Sequence, residues 1–232
     1  TYRFQEGSLA GQSFGNLILA ALNGVTGSFE EAVAQMSQVL AITGRILPVT
    51  SADVQLEAVF ENGARVVGES KISSFKKEQD CRIAHVALLP ERPAALPAAL
   101  QAIREADLIL MGPGSLYTSV IPNLLVEGVV EAICRSEALK IYVCNIMTQE
   151  GETEGYTAAD HVDALLSHGA PGLVDLCLAN STDSLTAARS GILSSILIWY
   201  MAIRMAMRTA GSSFSGFTLE KCASQKVSSI RF

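Results

Sequence analysis

Residues 106–123 read ADLILMGPGSLYTSVIPN, an apolar run of strand length that ends abruptly in Gly-Pro-Gly-Ser. We interpret this segment as a buried strand that leads into a polar loop. Glycine has no Cβ, so the backbone can approach a ligand closely and its N–H groups can donate to phosphate oxygens. The loop lacks the Gly-Lys-Ser/Thr of a P-loop and the third glycine of the dinucleotide fingerprint. Two interpretations remain open: a phosphate-binding loop, and a tight turn followed by a helix cap.

The segments after residue 81 alternate between strand and helix patterns. Strands are predicted at 83–89, 108–111, 141–147 and 173–179, and helices at 96–105, 123–136 and 157–168. Apolar strands in such alternation indicate right-handed crossovers and a mainly parallel sheet with helices on both faces. Ligands in this architecture bind beyond the carboxyl ends of the strands. The loops at 50–53, 112–118 and 145–153 are therefore expected to border one crevice.

The segments before residue 81 follow a different pattern. Helices are predicted from Ser13 and from Ser28, where Ser28 and Glu31 have the spacing of a capping box. A short strand is predicted at 44–50, followed by an antiparallel hairpin whose Asn-Gly turn at 62–63 is a type I′ signal. The charged residues 71–80 are expected to form a solvated loop.

Composition excludes several classes of protein. The chain has 232 residues, of which 49% are hydrophobic, so it can bury a large core. The net charge of −6 argues against general affinity for nucleic acid, which requires a basic surface. The five cysteines are scattered and never spaced as C-x-x-C, which favours reduced thiols in a cytoplasmic protein over disulfides or a zinc site. The longest apolar segment, Ile192 to Met207, contains two serines and an arginine and is too short for a membrane span.

Acidic and histidine side chains are the candidates for general acid–base catalysis or metal binding. Glu150, Glu152 and Glu154 alternate on one loop, where a magnesium ligand or general base is conceivable, but solvated loop charge is the simpler interpretation. His85 is expected to be a hydrogen-bonded core residue, because its strand is apolar. His168 is expected in the last turn of a helix, where the helix dipole tolerates a cation.

The character of the chain changes near residue 185. The preceding part is strongly acidic, whereas the remainder has six basic residues, one acid and many serines. We therefore predict an α/β nucleotide-binding domain over 1–184 and leave 185–232 unassigned. A non-native C-terminal segment produced by a frameshift is one hypothesis for the latter. A segment that binds a membrane surface is the other.

Four segments resemble a known family in the correct order. They read SFGNLILAALNGVTGSFEEAV, GRILPVTSADVQLEAV, ADLILMGPGSLYTSVIPNLLVEGVVEAI and KIYVCNIMTQEGETEGYTAADHVDAL. Between about Tyr2 and Asn180 the chain resembles the gluconeogenesis factor family, also called YvcK-like and related to CofD-like 2-phospho-L-lactate transferase. The resemblance implies a Rossmann-like three-layer sandwich with a mainly parallel sheet and an inserted β-hairpin.

The resemblance also implies a function. It suggests a cytoplasmic bacterial regulator that binds a nucleotide sugar such as UDP-N-acetylglucosamine and is required for gluconeogenic growth, cell shape and cell wall synthesis. A homo-oligomer and a regulatory protein partner would fit this role. In the related transferase branch, an enzyme transfers a phospholactyl group with magnesium, which Asp53 or a loop carboxylate would bind here.

The positions that match the family define a predicted nucleotide and phosphate site with no assigned catalytic residue. Its members are Gly112, Pro113, Gly114, Ser115, Tyr117, Thr118, Gly15, Asn16, Thr50, Asp53, Asn145, Thr148, Gly151 and Thr153. Beyond Asn180 the chain does not align with the family, and it departs from the family in two further places. No Gly-Gly-Gly-Thr-Gly loop precedes Thr1, so we predict a chain truncated at its N-terminus, and Gln12 stands where the family usually has histidine.

Overall fold

The computed structural model describes residues 2–180, 217–223 and 226–231. Seven α-helices lie in this part of the chain: α1 (Phe14–Thr26), α2 (Phe29–Val39), α3 (Glu69–Gln79), α4 (Pro97–Arg104), α5 (Ile121–Leu124), α6 (Val129–Arg135) and α7 (Ala158–His168). The strands are β1 (Gln55–Phe60), β2 (Arg65–Val67), β3 (Ile83–Leu89), β4 (Leu108–Met111), β5 (Leu139–Val143), β6 (Leu176–Asn180), β7 (Phe217–Ala223) and β8 (Lys226–Arg231). A 3₁₀ turn at Gly7–Leu9 and a π-helical segment at Leu116–Val120 complete the elements.

The larger sheet has the order β4-β5-β6-β7-β8. Strands β4, β5 and β6 are parallel, whereas β7 and β8 are antiparallel to their neighbours. This arrangement confirms the predicted mixed α/β class with a parallel sheet. The sequence patterns did not predict β7 and β8.

The smaller sheet is antiparallel and has the order β2-β1-β3. It contains the predicted hairpin of β1 and β2, in which Val59 pairs with Arg65. The predicted type I′ turn is wrong. The Phe60 N–H donates to the Ala64 carbonyl at 2.9 Å, which closes a loop of three residues, 61–63, and only Gly63 in this loop has a positive φ, of 83°. This is the geometry of a turn followed by a glycine bulge. Strand β3 was expected in the parallel sheet but pairs antiparallel with β1.

One hydrophobic core connects the two sheets. Phe60 and Val86 from the smaller sheet belong to the same buried cluster as Tyr142 from the larger sheet and Leu165 from α7. Helix α5 contacts β3 and α7, and α7 contacts β6, so the helices join the sheets into one packed unit. The loop that follows β5 lies against α3, where Lys76 pairs with Glu154.

The charged segment 71–80 is a helix rather than the predicted solvated loop. Helix α3 buries Ile72 completely, and Phe75 packs against Phe60 with ring centroids 4.6 Å apart. The apolar stripe is only one or two residues wide per turn, which explains why the charge pattern concealed it. The predicted strand at 44–50 was also wrong, because this segment has no regular structure.

The helix starts predicted at Ser13, Ser28 and Thr157 are confirmed as N-caps. The side chain of Ser13 accepts from the Asn16 N–H at 3.1 Å and caps α1. Thr157 begins α7 and forms a full capping box with Asp160. The single helix predicted over 123–136 is instead two helices, α5 and α6, separated at Gly128, where φ is +83°.

Some predictions concern residues that are not described. The apolar segment from Ile192 to Met207, the boundary at residue 184 and the hypothesis of a non-native C-terminal segment all fall there or depend on it. In the described ranges, no helix has the length and apolar character needed to cross a membrane.

Candidate ligand-binding loops

The loops that follow β4 and β5 meet at one edge of the larger sheet. The two strands are parallel neighbours with Met111 opposite Tyr142, so their carboxyl ends lie side by side. The structure therefore brings the 112–118 and 145–153 loops together, as the topology predicted.

Gly112 is required by the backbone path at the end of β4. Its φ is +83°, and an added Cβ would lie 2.8 Å from the carbonyl oxygen of Val143. Any other residue would combine a strained backbone with a steric clash. Gly114 differs, because an added Cβ there would lie 3.6 Å from the Cβ of Ser119, an ordinary contact.

Side chains of the 145–153 loop, called the second loop, hold the 112–118 loop, called the first loop, in place. The side-chain amide of Asn145 accepts from the Gly114 N–H at 3.1 Å and donates to the Gly114 carbonyl at 2.9 Å. One turn further on, the Ser115 hydroxyl donates to Oε1 of Gln149 at 2.8 Å. The main-chain N–H of Gly114, an expected phosphate donor, is therefore already used within the protein.

A buried carboxylate completes this connection. Glu152 is 1% exposed; its Oε2 accepts from the Tyr117 N–H at 3.2 Å, and its Oε1 accepts from the Thr118 hydroxyl at 2.6 Å. Burial raises the pKa of Glu152, against the opposing effect of these hydrogen bonds. The prediction of a solvated side chain was therefore wrong for Glu152. It was correct for Glu150, whose side chain is 78% exposed.

The second loop is itself packed against α3. An added Cβ at Gly151 would lie 3.0 Å from the Ser73 carbonyl oxygen, so this glycine permits close approach to the protein. The Thr153 hydroxyl, which is buried, accepts from the Gln149 N–H at 2.9 Å. Lys76 of α3 forms an ion pair with Glu154 at 3.2 Å.

Four predicted residues lie on other elements and make their contacts there. Thr50 donates from its hydroxyl to the Ala94 carbonyl at 2.8 Å. An added Cβ at Gly15 would lie 3.8 Å from Met36 of α2, and the Asn16 N–H is used in the cap of α1. Asp53 is exposed. Across the described ranges, no hydrogen bond joins any of the four to the two loops, so their place in one crevice stays a prediction.

Of the remaining predicted residues, Pro113 and Thr148 are exposed on the outer edge of the two loops, called the rim, and Tyr117 is buried. Sequence reasoning missed Gln149 and Glu152 as loop contacts. After β5, polar residues stand at 145, 149 and 152, three or four positions apart. This spacing is the sequence pattern that could have identified them.

One of the two histidine predictions is confirmed: His168 lies in the last turn of α7, whereas His85 is not the core residue that was expected. His85 is exposed and stacks on His168 with ring centroids 4.4 Å apart. Nε2 of His168 accepts from the Val86 N–H at 3.0 Å, so Nδ1 carries the proton and donates to the Ala164 carbonyl at 2.7 Å. Both nitrogens are satisfied only in the neutral ring, and burial lowers the pKa of His168.

Acidification should therefore destabilise the fold through His168. A lowered pKa in the folded state means that the unfolded chain binds the proton more readily, so stability is lost as the pH falls below about 6.5. We expect a slope of at most about 1.4 kcal/mol per pH unit from this group. Urea unfolding between pH 7.5 and 5.5 measures it. His168→Gln should reduce the slope, and an unchanged slope in that variant would contradict the assignment.

The described residues contain no group of three or more His, Cys, Asp or Glu side chains placed to hold a metal ion. The acidic residues of the second loop point to different partners: Glu152 to the first loop, Glu154 to α3 and Glu150 to Lys77. Magnesium binding by Asp53 or by a loop carboxylate stays a prediction.

Comparison with known proteins defines the class. The sequence over residues 1–191 matches the family described as 2-phospho-L-lactate transferase CofD, and the chain belongs to this family. Among its relatives are proteins named gluconeogenesis factor. The one from Bacillus subtilis (strain 168) is 50% identical over 183 residues, which cover 78% of this chain and 56% of that protein. The one from Halalkalibacterium halodurans is 47% identical over 175 residues, which cover 75% of this chain and 53% of that protein.

A solved structure shows the same fold. The crystal structure of a UPF0052 family protein from Bacillus halodurans has a TM-score of 0.73 and 46% identity, and the match covers 78% of this chain and 57% of that one. The chain thus spans little more than half the length of these relatives.

Proposed function

We propose that this chain is the ligand-binding part of a cytoplasmic regulator that binds a nucleotide sugar, with UDP-N-acetylglucosamine as the first candidate. The main support is the pair of cross-linked loops at the carboxyl ends of β4 and β5, the position where α/β sheets bind ligands. The names of the relatives support a role in growth on gluconeogenic carbon. Cell shape and wall synthesis, self-association and a protein partner that responds to the bound state belong to the same proposal.

In this proposal the ligand lies over the exposed rim of the two loops. Thr148 is exposed there, and Nε2 of Gln149 makes no hydrogen bond within the part of the chain that is described. A hydroxyl and an amide can both donate to diphosphate oxygens. The Gly114 N–H already donates to Asn145. In this proposal, side chains of the second loop therefore make most of the contacts with the ligand.

Calorimetric titration of the complete protein with UDP-N-acetylglucosamine tests this function. We expect saturable binding without consumption of the ligand, with or without magnesium. Thr148→Ala should weaken binding about tenfold, the effect of losing one hydrogen bond to a charged group. Ser70→Ala, an exposed hydroxyl on α3, is the control and should bind normally. Equal affinities of the two variants would move the ligand away from this rim.

The alternative function is a transferase. It is favoured by one observation: the matching family is described as 2-phospho-L-lactate transferase. The same titration with magnesium and product analysis decides between the two, because magnesium-dependent consumption of a nucleotide conjugate would establish an enzyme.

A further inference from the structure

The contacts between the two loops run in the same order along both. Asn145, Gln149 and Glu152 bond successively to residues 114, 115 and 117–118. The second loop therefore holds the first at several successive points from residue 114 to residue 118. The first two contacts are made by neutral side chains at half-buried positions, and only the third uses a charged group.

Glu152 is the deepest of the three contacts. Burying a carboxylate is costly unless its oxygens are hydrogen-bonded. Here both oxygens accept hydrogen bonds, and the donors belong to the opposite loop, at Tyr117 and Thr118. Among the described residues, no Lys, Arg or His forms an ion pair with Glu152, whereas Glu150 and Glu154 both have lysine partners. The carboxylate is thus neutralised by no cation, and its bonding is directed wholly at the first loop.

The N–H of Tyr117 has no acceptor within its own helical segment. Tyr117 lies at the start of the π-helical segment Leu116–Val120, where N–H groups have no intrahelical acceptor. An acceptor that lies on the neighbouring loop both satisfies this N–H and fixes the angle at which the segment leaves Ser115. The Thr118 hydroxyl adds a second attachment one residue later, which restrains rotation of the segment.

We propose that Glu152 is a positioning residue, whose carboxylate fixes residues 115–118 in the shape that borders the ligand site. Its effect on ligand affinity rests on the proposed function above, whereas its effect on the loop does not. Asn145 and Gln149 bond to the first loop at residues 114 and 115. Glu152 therefore fixes the part that follows, at residues 117–118, which leads into α5.

Three variants test this role. Glu152→Ala removes both attachments, Glu152→Gln keeps the shape and one acceptor, and Glu150→Ala is a matched change of an exposed glutamate on the same loop. Hydrogen exchange of the ligand-free protein is measured at residues 115–118, and the affinity for UDP-N-acetylglucosamine is measured in parallel. We expect Glu152→Ala to speed exchange of the Tyr117 amide at least tenfold and to weaken binding at least tenfold. Glu152→Gln should restore both quantities to within about threefold of the original protein, and Glu150→Ala should change neither.

The two readouts separate this inference from the proposed function. Unchanged exchange at residues 115–118 in Glu152→Ala, or an equal change in Glu150→Ala, would overturn the positioning role whatever the ligand. If the original protein does not bind UDP-N-acetylglucosamine, the function fails, but the exchange measurement still decides the role of Glu152. Should Glu152→Ala not fold, Thr118→Val removes one attachment from the opposite side, and Tyr117 exchange must then rise for the role to stand.

Discussion

Gly112→Ala is expected to lower the free energy of unfolding by about 4 kcal/mol. The substitution places a Cβ in a left-handed backbone conformation, which costs about 1–2 kcal/mol. It also drives that atom to within 2.8 Å of the Val143 carbonyl oxygen, a backbone atom that cannot rotate away. Overpacking of this kind costs about 1–3 kcal/mol more. Urea unfolding followed by circular dichroism measures the loss.

Gly63→Ala is the matched control for this variant. Gly63 has the same φ of +83°, but an added Cβ there meets nothing within 4 Å. The control should therefore show only the backbone cost of about 1–2 kcal/mol. Equal losses in the two variants would mean that the loop after β4 does not pass close to the end of β5.

Ile72→Ala should be the second large effect, with a loss of about 3 kcal/mol. Ile72 is fully buried on α3, and large-to-small substitutions in a core cost about 2–5 kcal/mol. Glu78→Ala, on the exposed side of the same helix, should stay within about 0.5 kcal/mol. A negligible effect of Ile72→Ala in urea unfolding would support the solvated loop that the charge pattern suggested.

This helix also matters for the proposed site. Lys76 of α3 forms an ion pair with Glu154, and an added Cβ at Gly151 would lie 3.0 Å from the Ser73 carbonyl oxygen. The ligand-facing loops are thus supported in series: α3 holds the second loop, and the second loop holds the first. Loosening α3 should weaken ligand binding at a distance, through the loops that it supports.

The sheet edge that carries the two loops was predictable from the sequence. Leu108–Met111 and Leu139–Val143 are short apolar runs bounded by turn residues, and this alternation with helices specifies parallel neighbours. The polar residues that follow them at the carboxyl ends were recognised for the same reason. Helix starts at Ser13, Ser28 and Thr157 were also predictable, because capping depends on neighbours within three residues.

The errors that affect the site concern contacts between residues distant in sequence. β3 has the apolar pattern of a parallel strand, but it is recruited by β1, and a strand's own pattern does not choose its partner. His85 lies on an apolar strand but faces outward and stacks on His168. Glu150, Glu152 and Glu154 look identical in the sequence, yet one is exposed, one is buried against the other loop and one is paired with α3.

The sequence by itself determined the α/β class, the family, the helix caps and the pair of loops at the end of β4 and β5, because these follow from local periodicity and from motifs a few residues long. Only the tertiary structure decided which groups in those loops are free. The Gly114 amide and the Glu152 carboxylate are engaged by partners more than 30 residues away, at distances that packing alone establishes.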